Sequence, residues 1–130
     1  MSNALTSLIL DVHDMDRSLK FYHDLLSLPV RRTESFEGHE LAYLSCGSTE
    51  ILLMQQPVGD QSPVLDRTGG MVLKFAVRDL PLLAKSLEST EVQILRPVEE
   101  SAFERTFLIA DPDGYAILLS ERVDDRPTLN

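Results

Sequence analysis

The sequence predicts an α+β fold made of two successive copies of one unit, ordered strand–helix–strand–strand–strand. Three observations carry this expectation. The apolar periods run through that order twice along 130 residues, with a Pro-, Gly-, Asp- and Ser-rich break between the passes. Residues also match across the passes at a nearly constant spacing. Leu8–Met15 lines up with Leu73–Leu80 at an offset of 65, and Ile51–Leu53 lines up with Ile117–Leu119 at 66. Finally, two apolar runs near the end flank Asp111-Pro112-Asp113-Gly114, where proline presets φ and glycine takes a conformation that side chains resist. They read as a β-hairpin whose strands are both largely buried.

In the first pass, Leu5–Val12 reads as a strand with Leu8, Leu10 and Val12 on one face and Ser7, Ile9 and Asp11 on the other. Asp14 offers a helix N-cap and Asp16 a favourable first-turn charge. Met15, Leu19, Tyr22 and Leu26 then recur at helical spacing, widened by Phe21 and Leu25 and closed by Pro29. Lys20, His23, Asp24 and Ser27 fall on the wet side. Strands follow at Val30–Phe36, His39–Cys46 and Glu50–Gln56, with turns at Glu37-Gly38 and Gly47-Ser48. The second pass has a strand at Met71–Val77 and an N-cap at Asp79. Its helix carries Pro81 and the stripe Leu80, Leu83, Ala84 and Leu87, and strands follow at Val92–Val98, Phe103–Ala110 and Tyr115–Glu121. The modules therefore span residues 1–56 and 70–122, with a linker at 57–69 and a polar tail at 123–130.

Composition narrows the function. An apolar fraction of 43% fills a core, so disorder is excluded. No apolar run reaches the roughly 18 residues a membrane helix needs, which argues against a membrane role. Met1-Ser2-Asn3-Ala4 is no signal peptide, and Cys46 is the only cysteine, so no internal disulfide forms and a cytoplasmic protein is expected. A net charge of −9 argues against nucleic acid, whose phosphates call for clustered Lys and Arg.

Leu19 to Val30, with Phe21-Tyr22 before Leu28-Pro29-Val30, resembles the first-helix signature of the vicinal-oxygen-chelate superfamily. That superfamily includes glyoxalase I, ring-cleaving dioxygenases and bleomycin-type resistance proteins. Ser27 stands where a glycine is usual, and the Asp-Pro-Asp-Gly hairpin resembles the superfamily's closing hairpin. The resemblance implies paired βαβββ modules with curled mixed sheets forming a cleft, each with a helix outside, and a dimer. It also implies metal ligands on the cavity faces of the first and fourth strands of each module. Those positions here are Ser7, Leu52, Val72 and Leu118, one hydroxyl and three aliphatic side chains. A hard divalent ion needs several converging O or N ligands, so no metal and no other cofactor is expected. His13, His23 and His39 are scattered and read as solvated or capping residues.

What remains is a concave, mostly apolar surface with a few polar groups, as small-molecule pockets are. The expected ligand-binding set is Ser7, Ile9, Asp11, Glu50, Leu52 and Met54 from the first module and Lys74 and Leu118 from the second. Phe36, Tyr43, Phe103 and Phe107 could stack on a flat ligand, and Arg105 could reach the cavity if its strand faces that way. The leading expectation is a non-catalytic homodimer that sequesters an aromatic or peptide-like, antibiotic-like compound without metal. The alternatives are a lyase, epimerase or dioxygenase with an unrecognised metal site, a metal-free catalyst using Lys74, Asp11, Glu50 or Arg105, and a structural or regulatory partner, for which the sequence gives no positive sign.

Overall fold

The structure, a computed structural model, describes residues 3–57 and 70–123. The expected linker beyond Pro57 and the tail beyond Val123 lie outside the described residues. The chain divides into two compact units, Met1–Val64 and Leu65–Asn130. Among the described residues no helix is long and apolar enough to cross a membrane.

The first unit runs β1 (Ser7–Val12), α1 (Met15–Leu19, widening into a π-helical segment at Lys20–Leu25), β2 (Val30–Phe36), β3 (His39–Cys46) and β4 (Thr49–Gln55). Its sheet has the order β1-β4-β3-β2, with β1 parallel to β4 and the other pairs antiparallel. The second unit repeats this with β5 (Val72–Ala76), α2 (Leu80–Glu88), β6 (Gln93–Glu100), β7 (Glu104–Ala110) and β8 (Ala116–Arg122), in the order β5-β8-β7-β6. Both are βαβββ modules, and the mixed sheet follows from the helical crossover, which alone lets β1 lie parallel to β4.

Alternation along the strands sorts every side chain to one of two faces. Leu10, Val12, Ala42, Leu44, Ile51 and Leu53 are buried with Phe21 and Tyr22 of the helix, whose rings meet edge-on at 4.9 Å. Leu73, Phe107, Ile109, Ile117 and Leu119 are buried in the same way with Leu80, Ala84 and Leu87 of α2. The expectation that both hairpin strands are largely buried therefore holds for one face only. Thr106, Leu108 and Leu118, on the other face, are half-buried, because one helix covers one side of the sheet. Strand β6 is exposed along its whole length, as an edge strand. Ser18, absent from the expected helical stripe, is fully buried.

The turns follow the expected chemistry. Glu37 and Gly38 both have positive φ (51° and 84°), the pattern of a two-residue hairpin loop. Gly114 has φ 92°, and Asp111 holds its turn together by accepting from Asp113 N (2.9 Å) and Tyr115 N (2.8 Å) through Oδ1. At the end of the first helix Ser27 has φ 62°, the left-handed region, while Leu28 N donates to the Tyr22 carbonyl at 3.0 Å. His23 Nδ1 caps the same turn by donating to the Leu28 carbonyl at 2.8 Å.

Both helix N-termini are fastened by the far end of the neighbouring strand. Asp14 and Asp79 cap them as expected, accepting from Asp16 N (3.0 Å) and Leu82 N (3.4 Å). In addition, Gln55 Oε1 accepts from Met15 N at 2.6 Å, while Glu121 accepts from Asp79 N at 2.5 Å and Leu80 N at 3.1 Å. Gln55 and Glu121 sit at the same place in the two modules, as an amide and a carboxylate. The Leu80 N–H, the Asp79 N–H and the Arg105 guanidinium together hold the Glu121 carboxyl below the ordinary glutamate range, against an opposing effect of burial.

Two measurements follow from these contacts. Ser27→Gly should raise unfolding stability by about 1 kcal/mol, since glycine adopts positive φ without steric penalty. Urea unfolding checks it, and an unchanged midpoint would show that the turn carries no strain. Glu121→Gln should lower the melting temperature at neutral pH. The folded-state pKa is depressed, so the carboxylate's contribution is present above the unfolded glutamate pKa and lost as pH falls through the folded value. The gap between variant and wild type should therefore close on acidification, as thermal melts across a pH series would read.

Candidate ligand-binding face

The strand registers turn the face of the first sheet away from its helix into rows. One row runs Arg32, Tyr43, Leu52, Ile9 across β2, β3, β4 and β1. The next runs Glu34, Leu41, Met54, Asp11. In the opposite direction along the strands, Ser45, Glu50 and Ser7 form a third. The expected residues Ser7, Ile9, Asp11, Tyr43, Glu50, Leu52 and Met54 thus share one open face. Phe36 lies at its β2–β3 end, 62% exposed, and Ile9 is 59% exposed on an edge strand.

The polar groups of this face are tied to one another. Tyr43 Oη donates to Glu34 Oε1 at 2.7 Å, and the Arg32 guanidinium lies 4.1 Å over the Tyr43 ring. That hydrogen bond to Glu34 raises the phenol pKa, so Tyr43 stays protonated. Arg31 reaches Glu50 Oε2 at 2.9 Å, because the β2 register shifts between Val30 and Arg32 and turns an extra residue toward the open side. Around this pair lies a recess of about 290 Å³ lined by Thr6, Arg31, Ser45, Ser48, Thr49 and Glu50. Of these only Glu50 was expected. Ser45 was legible from its alternation with Tyr43, whereas Arg31 depends on a bulge that leaves no mark in the sequence.

The second sheet's open face carries Val72, Lys74 and Ala76 from β5 and Ala116, Leu118 and Ser120 from β8. Its central row reads Lys74, Leu118, Leu108, Arg96. Lys74 Nζ contacts Glu104 Oε2 at 3.2 Å. Two expected residues are elsewhere. Phe107 pairs with Leu119 in the core and is 1% exposed, so it cannot stack on a ligand. Arg105 pairs with Glu121 and faces the helix side, with ion pairs to Glu121 (3.4 Å) and Glu100 (3.5 Å). Both are odd-numbered positions on β7, and alternation puts that set under α2. The acid–base candidates fare little better, since Lys74, Glu50 and Arg105 are all held in ion pairs.

The metal positions implied by the resemblance, Ser7, Leu52, Val72 and Leu118, all lie on open faces, but their chemistry does not fit an ion. They supply one hydroxyl, and among the described residues no three His, Cys, Asp or Glu side chains come together. His39 is half-buried rather than solvated, and its Nδ1 has no hydrogen-bond partner among the described residues. Burial raises the Cys46 thiol pKa, which makes it a poor nucleophile.

Residues 4–119 match the model of the Glyoxalase/Bleomycin resistance protein/Dioxygenase superfamily. The chain is similar to a glutathione transferase, FosA, of Serratia marcescens. The two are 27% identical over 120 residues, covering 92% of this chain and 81% of that protein. It is similar in structure to the trypanothione-dependent glyoxalase I of Leishmania major, with a TM-score of 0.76 and 29% identity over 92% of this chain and 87% of that one. A glyoxalase family protein from Bacillus cereus shares the fold at a TM-score of 0.79 and 18% identity, over 92% of this chain and 94% of that one. With the duplicated βαβββ modules and the open faces they create, the match over most of its length shows that this chain belongs to the Glyoxalase/Bleomycin resistance protein/Dioxygenase superfamily.

Proposed function

We propose that this protein binds and sequesters an aromatic or peptide-like small molecule of the antibiotic type on the open faces of its sheets, in the cytoplasm, without a metal and without turnover. The observation that supports it is the apolar patch of Ile9, Leu52 and Met54 on the first open face, with Leu52 at a position where the resemblance implies a metal donor. Covering such a patch removes apolar area from water at about 25 cal/mol per Å², and occupancy alone is enough for sequestration. The likeness to a glutathione transferase and to a glyoxalase I favours a second reading, an enzyme such as a lyase, epimerase or dioxygenase. Metal content separates the two. Protein purified without chelator should hold far less than one Zn, Ni, Mn or Fe per chain, and should bind members of an aromatic drug panel without consuming them. One metal per chain, or product formation, would overturn the proposal.

Leu118 gives a sharper version of the same test. Leu118→Ala should keep the fold at a cost of about 1–3 kcal/mol and alter ligand affinity. Leu118→Glu sets a carboxylate between Leu108 and Lys74, where an ammonium and not three further donors faces it, so its stability should not depend on added metal. Thermal melts with and without Zn, Ni or Mn read this out. A gain of several degrees for Leu118→Glu with one metal, absent in wild type, would mean that a nearly intact cage survives.

The exposed apolar side chains on the open faces, Ile9, Phe36 and Val72, also support a homodimer as the binding form. Sedimentation at micromolar concentration should show two chains per particle, and a monomer alone would remove this part of the proposal.

A further inference from the structure

We infer that the ligand carries an amino-acid-type head, an ammonium beside a carboxylate, which the recess around Arg31 and Glu50 takes while the apolar body lies on Ile9, Leu52 and Met54. The inference rests on the proposed open-face binding and adds the chemistry of the ligand's polar end. Ser45, Glu50 and Ser7 are each two residues along their strands from Tyr43, Leu52 and Ile9. Two strand residues span about 7 Å, so the recess and the apolar patch are within reach of one short molecule.

The charges decide the head. Arg31 spends a single N–H on Glu50, at 2.9 Å, and its side chain is 64% exposed. A guanidinium offers five donors in a fork suited to a carboxylate. A bare anion would meet the Glu50 carboxylate as well as Arg31, and a bare cation would meet Arg31 as well as Glu50. A zwitterion presents each charge to its opposite and replaces a weak exposed ion pair with two contacts. The side-chain hydroxyls of Thr6, Ser45, Ser48 and Thr49 line the same recess, and none is bonded to another described residue. They supply the further donors and acceptors that an ammonium and a carboxylate would use on losing water.

Titration calorimetry with L-phenylalanine, which carries both charges on one carbon beside an apolar body, and its three blocked forms tests this. The forms are N-acetylated, C-amidated and doubly blocked. The zwitterion should bind wild type about fivefold more tightly than either singly blocked form, the scale of one exposed charge contact. In Arg31→Gln amidation should no longer weaken binding, and in Glu50→Gln acetylation should no longer weaken it. A merely structural role would weaken all four forms alike in both variants. Equal binding of the four forms to wild type would overturn the zwitterion head and leave open-face binding intact. A preference that persists in both variants would overturn the assignment to this recess. Failure of every form to bind at millimolar concentration would overturn this inference, and failure of the aromatic panel as well would remove open-face binding itself.

Discussion

One helix covers one face of each four-stranded sheet, and that constraint decides the role of nearly every strand residue. Because side chains alternate, each strand sends half its residues under the helix and leaves the other half on an uncovered face. The covered half is apolar at its centre, with Leu10 and Val12, Ala42 and Leu44, Ile51 and Leu53 in one module and Phe107 and Ile109, Ile117 and Leu119 in the other, and polar only at the strand ends, where Gln55, Arg105 and Glu121 stand. The uncovered half mixes Ser7, Ile9, Glu50 and Leu52 with Lys74 and Leu118. Function has to be sought in that second half, since the first is committed to the core.

The duplicated modules keep their geometry with different chemistry. Each fastens its helix N-terminus twice, with an Asp cap and with the last turn of the fourth strand. An amide does this in the first module and a carboxylate in the second. The carboxylate brings Arg105 and, through it, Glu100 into an ion-pair network under α2. The first module has no charge in that place. Only the second module's helix attachment is therefore sensitive to acid through this contact, although the backbone it holds is the same.

Local chemistry made most of the fold legible. Asp14 and Asp79 announce the helices, and Glu37-Gly38 and Asp111–Gly114 announce the turns. The two offsets of 65 and 66 announce the duplication before any single element is certain. Which residues share the open face was legible as far as alternation is exact, which covers β1, β3 and β4. It failed where a side had to be chosen without an anchor, as for Arg105 and Phe107, whose strand carries half-apolar residues on both faces. It failed also where register slips. The extra residue at Arg31 turns a side chain that simple alternation would misplace, and nothing in Val30-Arg31-Arg32 signals the slip. Ser27 is the reverse case. Its departure from the usual glycine is visible in sequence, and its positive φ supplies the physical reason for glycine there.

The two open faces have also drifted apart in a way that bears on metal chemistry. In the first, the middle row is apolar beyond the Arg32–Tyr43 stack, with Glu50 in the row on one side of it and Glu34 and Asp11 at the ends of the row on the other. In the second, Leu118 and Leu108 lie between Lys74 and Arg96, so the row is flanked by cations. A divalent ion placed at Leu118 would meet two positive side chains and no carboxylate in its own row. Lys74 is itself paired with Glu104 at 3.2 Å, so the lack of donor atoms at Val72 and Leu118, rather than its charge, is the main obstacle to an ion there. The same cations suit a ligand carrying negative or hydrogen-bond-accepting groups, so the chemistry that disfavours an ion leaves the face able to hold an organic molecule.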